Sequence, residues 1–198
     1  MKISITLFAL ITSLTANAYR VNLSEAEMAK LKKGQEIERV EELKGEVFPR
    51  VTLINVIPHT PHQNMTLFTN FENHPKFIPG LKAAKVVKKE GNITDVAFEM
   101  EMPIVKNTKY TTRHFVDYEG KDAVLKWDLI KSKQLKATKG SIIFEDYEGK
   151  TLFTYITHIT PESSLAWTVK SRVVPDVKKN MKVVREYLAK NAGKEVIK

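Results

Sequence analysis

The chain has 198 residues, with 32 Lys and Arg against 23 Asp and Glu, a formal charge of +9 and no cysteine. That length suits one domain with a substantial core, and the lack of cysteine excludes disulfide staples and lipoprotein attachment. The basic excess can draw in anionic lipid headgroups or nucleic acid, although the lysines are scattered and equally describe a plain solvated surface.

At the start of the chain, Lys2 precedes a mostly apolar run from Ile3 to Leu14, and Ala16-Asn17-Ala18 has the small-x-small pattern of a signal-peptidase site. Residues 1–18 are therefore read as a signal peptide cleaved after Ala18, which predicts export to the periplasm. The run is short for a bilayer span, so a retained anchor is the weaker alternative. Without Lys2 the remaining 180 residues carry 31 basic and 23 acidic side chains, a charge of +8. Export makes an anionic membrane surface, and not nucleic acid, the expected partner of that charge.

Next comes a short helix with both ends marked. Ser24 and Glu27 have capping-box spacing, and Gly34 is a left-handed stop. Its apolar stripe is only Met28 and Leu31, which predicts a strap lying on the domain. From Glu36 to Ile57 the pattern is extended, broken near Gly45 and Pro49, with high strand propensity over Val51–Ile57. Thr60, Pro61 and Gln63 then form a second helix start. Leu67, Phe68 and Phe71 share a face of that helix, with Met65 at its edge. It is predicted to stop by Asn73, because Pro75 disfavours a helical His74.

After the turn Ile78-Pro79-Gly80, six strands are predicted at 81–89, 93–102, 108–118, 122–130, 134–146 and 151–160, with a seventh at 164–174. The short turns between them require antiparallel neighbours. The last element is a helix from about Pro175 to Asn191, with Val177, Met181, Val184 and Leu188 in one stripe and Lys178, Lys179, Lys182, Arg185 and Lys190 on other faces. The predicted class is α+β: an antiparallel sheet of six to seven strands with one face covered by helices.

The order of elements, and above all the phrase from Thr69 to Gly80 with its Asn70-Phe71-Glu72, Pro75, Phe77 and Pro79-Gly80, resemble the START-like (SRPBCC, helix-grip) superfamily, which includes polyketide cyclase/dehydrase and coenzyme Q-binding START-type proteins. The Gly140–Phe144 strand and the terminal helix sit where that superfamily puts them. The resemblance covers roughly residues 24–190. It divides the chain into an N-terminal extension with a short helix (19–46) and a START-like domain (47–193). It implies a curved sheet gripping the terminal helix, with a cavity between them for a hydrophobic molecule. Its motifs are turn and packing signals, so they speak for fold more than function.

Strand alternation puts Val96, Phe98, Met100 and Met102 on one face, and likewise Tyr110, His114, Val116 and Tyr118; Leu125, Trp127 and Leu129; Ile142 and Phe144; Phe153 and Tyr155. Wide, adaptable side chains of this kind suit an apolar ligand, and they equally suit a filled core. The candidate ligand-binding set is Phe98, Met100, Met102, Tyr110, His114, Trp127, Phe144, Tyr155 and Met181.

Chemistry-bearing motifs are sparse. Of the five histidines, His59 and His62 flank a helix start, His74 belongs to the proline-rich turn, and His158 lies near a strand end. His114 is the one whose imidazole enters the predicted cavity, where it orients a ligand carbonyl, acts as a general base, or simply bonds within the core. There is no phosphate-binding glycine loop, no nucleophile elbow and no metal-binding histidine pair. Glu99 and Glu101 alternate with apolar residues and read as a solvated face, and the aromatics are not interleaved with a basic stripe, against nucleic-acid binding.

The resemblance to lipid-carrying START-like proteins implies a monomeric, non-enzymatic binder or transporter of a lipid or other hydrophobic small molecule, without cofactor or metal. Ligand passage would need the 76–80 turn or a strand loop to move away from the terminal helix. The alternative is an aromatase/cyclase-type enzyme with His114, Tyr110 or Glu99 moving protons; a third reading is an interaction module with a filled core.

Overall fold

A computed structural model describes residues 21–101, 107–162 and 164–194. Helix α1 (Glu25–Lys32) starts where the capping box requires: Ser24 Oγ accepts the Glu27 N–H and the Glu27 carboxylate accepts the Ser24 N–H at 2.8 Å. Gly34 takes a φ of 71°, the left-handed conformation open to a residue without Cβ. The sheet has eight strands, not six to seven: β1 (Ile37–Glu41), β2 (Arg50–Ile57), β3 (Leu81–Glu90), β4 (Ile93–Met100), β5 (Thr108–Glu119), β6 (Asp122–Ser132), β7 (Leu135–Tyr147) and β8 (Lys150–Pro161). Their order is β1-β2-β8-β7-β6-β5-β4-β3, so β3 to β8 form a meander and β2 closes against its last strand. All the pairings are antiparallel.

The predicted strand at 164–174 is instead a 3-10 helix (Ser164–Val169) running into helix α3 (Lys170–Asn191). The reason is topological. β8 is paired on both sides, by β2 and β7, so the chain leaving it meets no free ladder and must leave the sheet. α3 therefore begins before Pro175, which stands inside the helix and removes one i→i−4 bond. Helix α2 (Pro61–Phe68) is also shorter than predicted. Its ladder closes when Asn70 N–H takes the Leu67 carbonyl in the 3-10 manner, and a second 3-10 helix, Phe71–Lys76, carries the chain through Pro75.

The two faces of the sheet bury different residues. Leu53, Leu125, Phe144 and Phe153 pack with Met65 and Phe68 of α2 and with Val184 and Leu188 of α3. The neighbours Ile54 and Leu152 face the other way, beside Ile37 of β1, and are covered by Leu31, so α1 straps the opposite face. Acidic residues around β1 also reach α3: Glu36 meets Arg185 at 2.7 Å, Glu38 meets Lys178, and Glu42 meets Lys170 at 2.7 Å. Among the described residues no helix is long and apolar enough to cross a membrane.

Candidate functional site

α3 has two unlike halves. Its C-terminal half, with Val184 and Leu188, is seated in the filled core, whereas Val173, Val177 and Met181 roof a cavity of ≈ 450 Å³. The floor is the sheet face of β4 to β8, and one wall is the 3-10 helix with Phe71 and His74, continued by the turn Ile78-Pro79-Gly80. The volume lies within the roughly 300–1,000 Å³ typical of small-molecule sites.

Of the nine candidates, Phe98, Met100, Tyr110, His114, Trp127, Tyr155 and Met181 line this cavity. Phe144 does not; it is fully buried in the filled core, its ring 6.4 Å from Phe68 and 5.5 Å from Phe153. Alternation assigns it the correct face but cannot say that α2 fills the space above it. Met102 lies outside the described residues, as do residues 1–18.

The aromatic floor depends on one glycine. Gly140 of β7 lies directly opposite Trp127 of β6, and a Cβ there would collide with the Trp127 ring and with the Ile156 carbonyl oxygen. Its bare backbone lets the indole lie across β7 and stack on Tyr155 of β8, with ring centroids 5.8 Å apart. On the other side, Phe98 stacks on Tyr110 at 5.3 Å.

His114 sits between these pairs. Its Nε2 bonds Thr112 Oγ1 at 2.8 Å, two residues earlier on the same face of β5. Phe71 lies 4.5 Å from its ring, Phe98 6.0 Å and Trp127 6.5 Å. The side chain is 6% exposed and its Nδ1 has no protein partner among the described residues. Burial, helped by nearby His74, pushes the imidazole pKa down to about 3, so the ring is neutral. Burial likewise pushes the Tyr110 and Tyr155 phenols up.

His74 is a lining residue that sequence reasoning missed by assigning it to a turn. Nε2–H donates to the Phe68 carbonyl at 2.7 Å, and burial pushes its pKa down to about 4. The available signal was its spacing of three from Phe71, which puts both on one side of a helical turn. His59 and His62 lie elsewhere, His59 against the Ala189 carbonyl and His62 against Tyr118.

The charged lining residues Glu101, Arg172, Asp176 and Lys179 are solvent-facing, and Glu101 and Arg172 are paired with Lys82 and Asp176. Glu99, a proton-transfer candidate from sequence, is not at the cavity; it pairs with Lys109 at 3.0 Å. Asp95, four residues earlier on β4, holds Arg113 through two bonds of 2.8 Å. Among the described residues no group of three or more His, Cys, Asp or Glu side chains could hold a metal ion.

No protein-family model and no curated sequence matches the chain. Solved structures do. A STAR-related lipid transfer protein from Xanthomonas axonopodis superposes with a TM-score of 0.70 at 13% identity, over 77% of this chain and 93% of that one. Human STARD10 gives 0.66 at 12% identity, over 78% and 69%. The Zhui aromatase/cyclase from Streptomyces gives 0.61 at 8% identity, over 70% and 92%. The fold is thus the START-like helix-grip, as a curved, open antiparallel sheet around a long C-terminal helix.

Proposed function

We propose that the protein binds and carries a lipid or another hydrophobic small molecule in the cavity under α3. The observation that carries this reading is a ≈ 450 Å³ space walled by apolar and aromatic side chains, with few polar groups inside it. Affinity would come from apolar surface removed from water, worth about 25 cal/mol per Å². By their names, one of the similar structures belongs to a lipid transfer protein and another to an aromatase/cyclase.

Carriage is favoured over cyclase chemistry because of the histidine. A general base works best with a pKa near the operating pH, whereas the His114 pKa lies near 3 and the phenols of Tyr110 and Tyr155 are shifted up, away from neutrality. Such groups orient a ligand better than they exchange protons. The basic residues of α3 lend limited support to membrane docking, since Lys178, Arg185 and Lys182 each face a glutamate. We propose that it acts as a monomer in the cell envelope, the envelope resting on the export pattern in residues 1–18.

Native mass spectrometry of the protein purified from its own envelope is expected to show an added lipid-sized mass, and a fluorescent fatty probe is expected to bind and be displaced. A bare spectrum together with no probe binding would sink the carrier reading. Turnover of a cyclisable substrate that is lost in His114→Ala while binding persists would establish the enzyme instead.

A further inference from the structure

We infer that the cavity is selective for an uncharged molecule with a single chain or a fused ring system, bearing one oxygen, carbonyl or hydroxyl, that hydrogen-bonds His114 Nδ1. This rests on the carrier reading and adds to it the chemical class of the ligand.

The geometry of His114 is the first support. One ring nitrogen is committed to Thr112 Oγ1 at 2.8 Å, and the ring is packed by Phe71 at 4.5 Å and flanked by Phe98 and Trp127, so it cannot swing to another partner. The other nitrogen is buried in the cavity wall with no group to bond among the described residues. An unsatisfied buried polar atom is costly, and a ligand oxygen placed against it removes that cost. Because a threonine hydroxyl either donates to or accepts from Nε2, Nδ1 can be an acceptor for a hydroxyl or a donor to a carbonyl.

The distribution of charge is the second support. Among the described lining residues, the charged ones are the solvent-facing Glu101, Arg172, Asp176 and Lys179, and the interior offers threonines, tyrosines and two neutral histidines. A carboxylate or phosphate drawn inside would lose its water and find no countercharge. Size is the third. A ≈ 450 Å³ space suits one drug-sized molecule, not a two-chain phospholipid.

The test is competition against a bound fluorescent fatty probe by dodecanol, methyl undecyl ketone, dodecanoate, dodecane and a diacyl phosphatidylglycerol, on the full mature chain and on its His114→Phe and His114→Gln variants. The alcohol or the ketone is expected to compete about tenfold better than dodecane or dodecanoate, the worth of one net hydrogen bond. Because a hydroxyl can donate or accept and a carbonyl only accepts, a ketone that competes as well as the alcohol identifies Nδ1 as a donor, and a ketone no better than dodecane identifies it as an acceptor. His114→Phe is expected to erase that advantage while leaving dodecane unchanged or tighter, and His114→Gln to restore part of it. Dodecanoate or the phospholipid matching the neutral oxygenated ligands in the wild-type protein would overturn the inference and leave hydrophobic binding standing. So would an alcohol and a ketone no better than dodecane. If no competitor displaces the probe, the carrier reading falls and the inference with it. The wild-type ranking decides the matter even if a variant fails to fold.

Discussion

Two residues show how a single side chain is governed by what encloses it. His74 and His114 are held neutral, with pKa values near 4 and 3 against 6.5 in the open chain. Above pH 6.5 both states leave them unprotonated and they contribute no pH dependence. As pH falls below 6.5 the unfolded chain takes up protons that the native one refuses, so stability drops, by up to about 2 kcal/mol per histidine at pH 5. Thermal melts at pH 7 and pH 5 should show this fall in the wild-type protein, and a visibly smaller one in a His74→Gln/His114→Phe double variant. An equal fall in both would show that other groups govern acid sensitivity. Gly140 makes the complementary point about space. Gly140→Ala should destabilise by about 1–3 kcal/mol in a denaturant titration, because the added carbon meets backbone and indole at once. It should also disturb the Trp127–Tyr155 stack and with it ligand affinity.

At the scale of elements, the long helix is a core element at one end and a roof at the other. Leu188 is fully buried among apolar neighbours, and Leu188→Ala should cost about 2–5 kcal/mol. Val177, about three turns earlier, faces the cavity. Val177→Trp should fill that space and abolish probe binding with a change in melting temperature much smaller than that of Leu188→Ala. If the tryptophan variant binds the probe as well as the wild type, the ligand does not sit under this half of α3. The stripe Val177-Met181-Val184-Leu188 was legible from its spacing alone, yet its division into two tasks was not. Periodicity reports which side of a helix is apolar, and the partner across the gap decides whether the gap is filled. The same limit explains Phe144: its face was readable, but α2 closing over it was not. The 164–174 segment failed as a strand because local propensity cannot register that both edges of β8 are taken.

For the whole molecule, we propose export to the periplasm on the pattern of residues 1–18. The purified envelope protein should begin at Tyr19, a result that an intact mass or N-terminal sequencing reads directly; a chain still beginning at Met1 would remove the export argument. The strap formed by α1 and β1 ties both ends of the described chain together, with Glu36, Glu38 and Glu42 holding Arg185, Lys178 and Lys170 of α3. Those pairs occupy cations that composition alone would have offered to a membrane.

By itself, the sequence determined where α1 and α2 begin, the spans of β2 to β8 within a few positions, and that neighbours run antiparallel. Capping boxes, positive-φ glycines and short turns act over three or four residues, so they are written locally. The tertiary structure alone decided the eighth strand in the sheet, the route of the chain after β8, the burial of His74, and the boundary between filled core and open cavity. Each of these depends on which surfaces distant segments bring together, and the same apolar residue is a core filler or a ligand contact according to what stands opposite it.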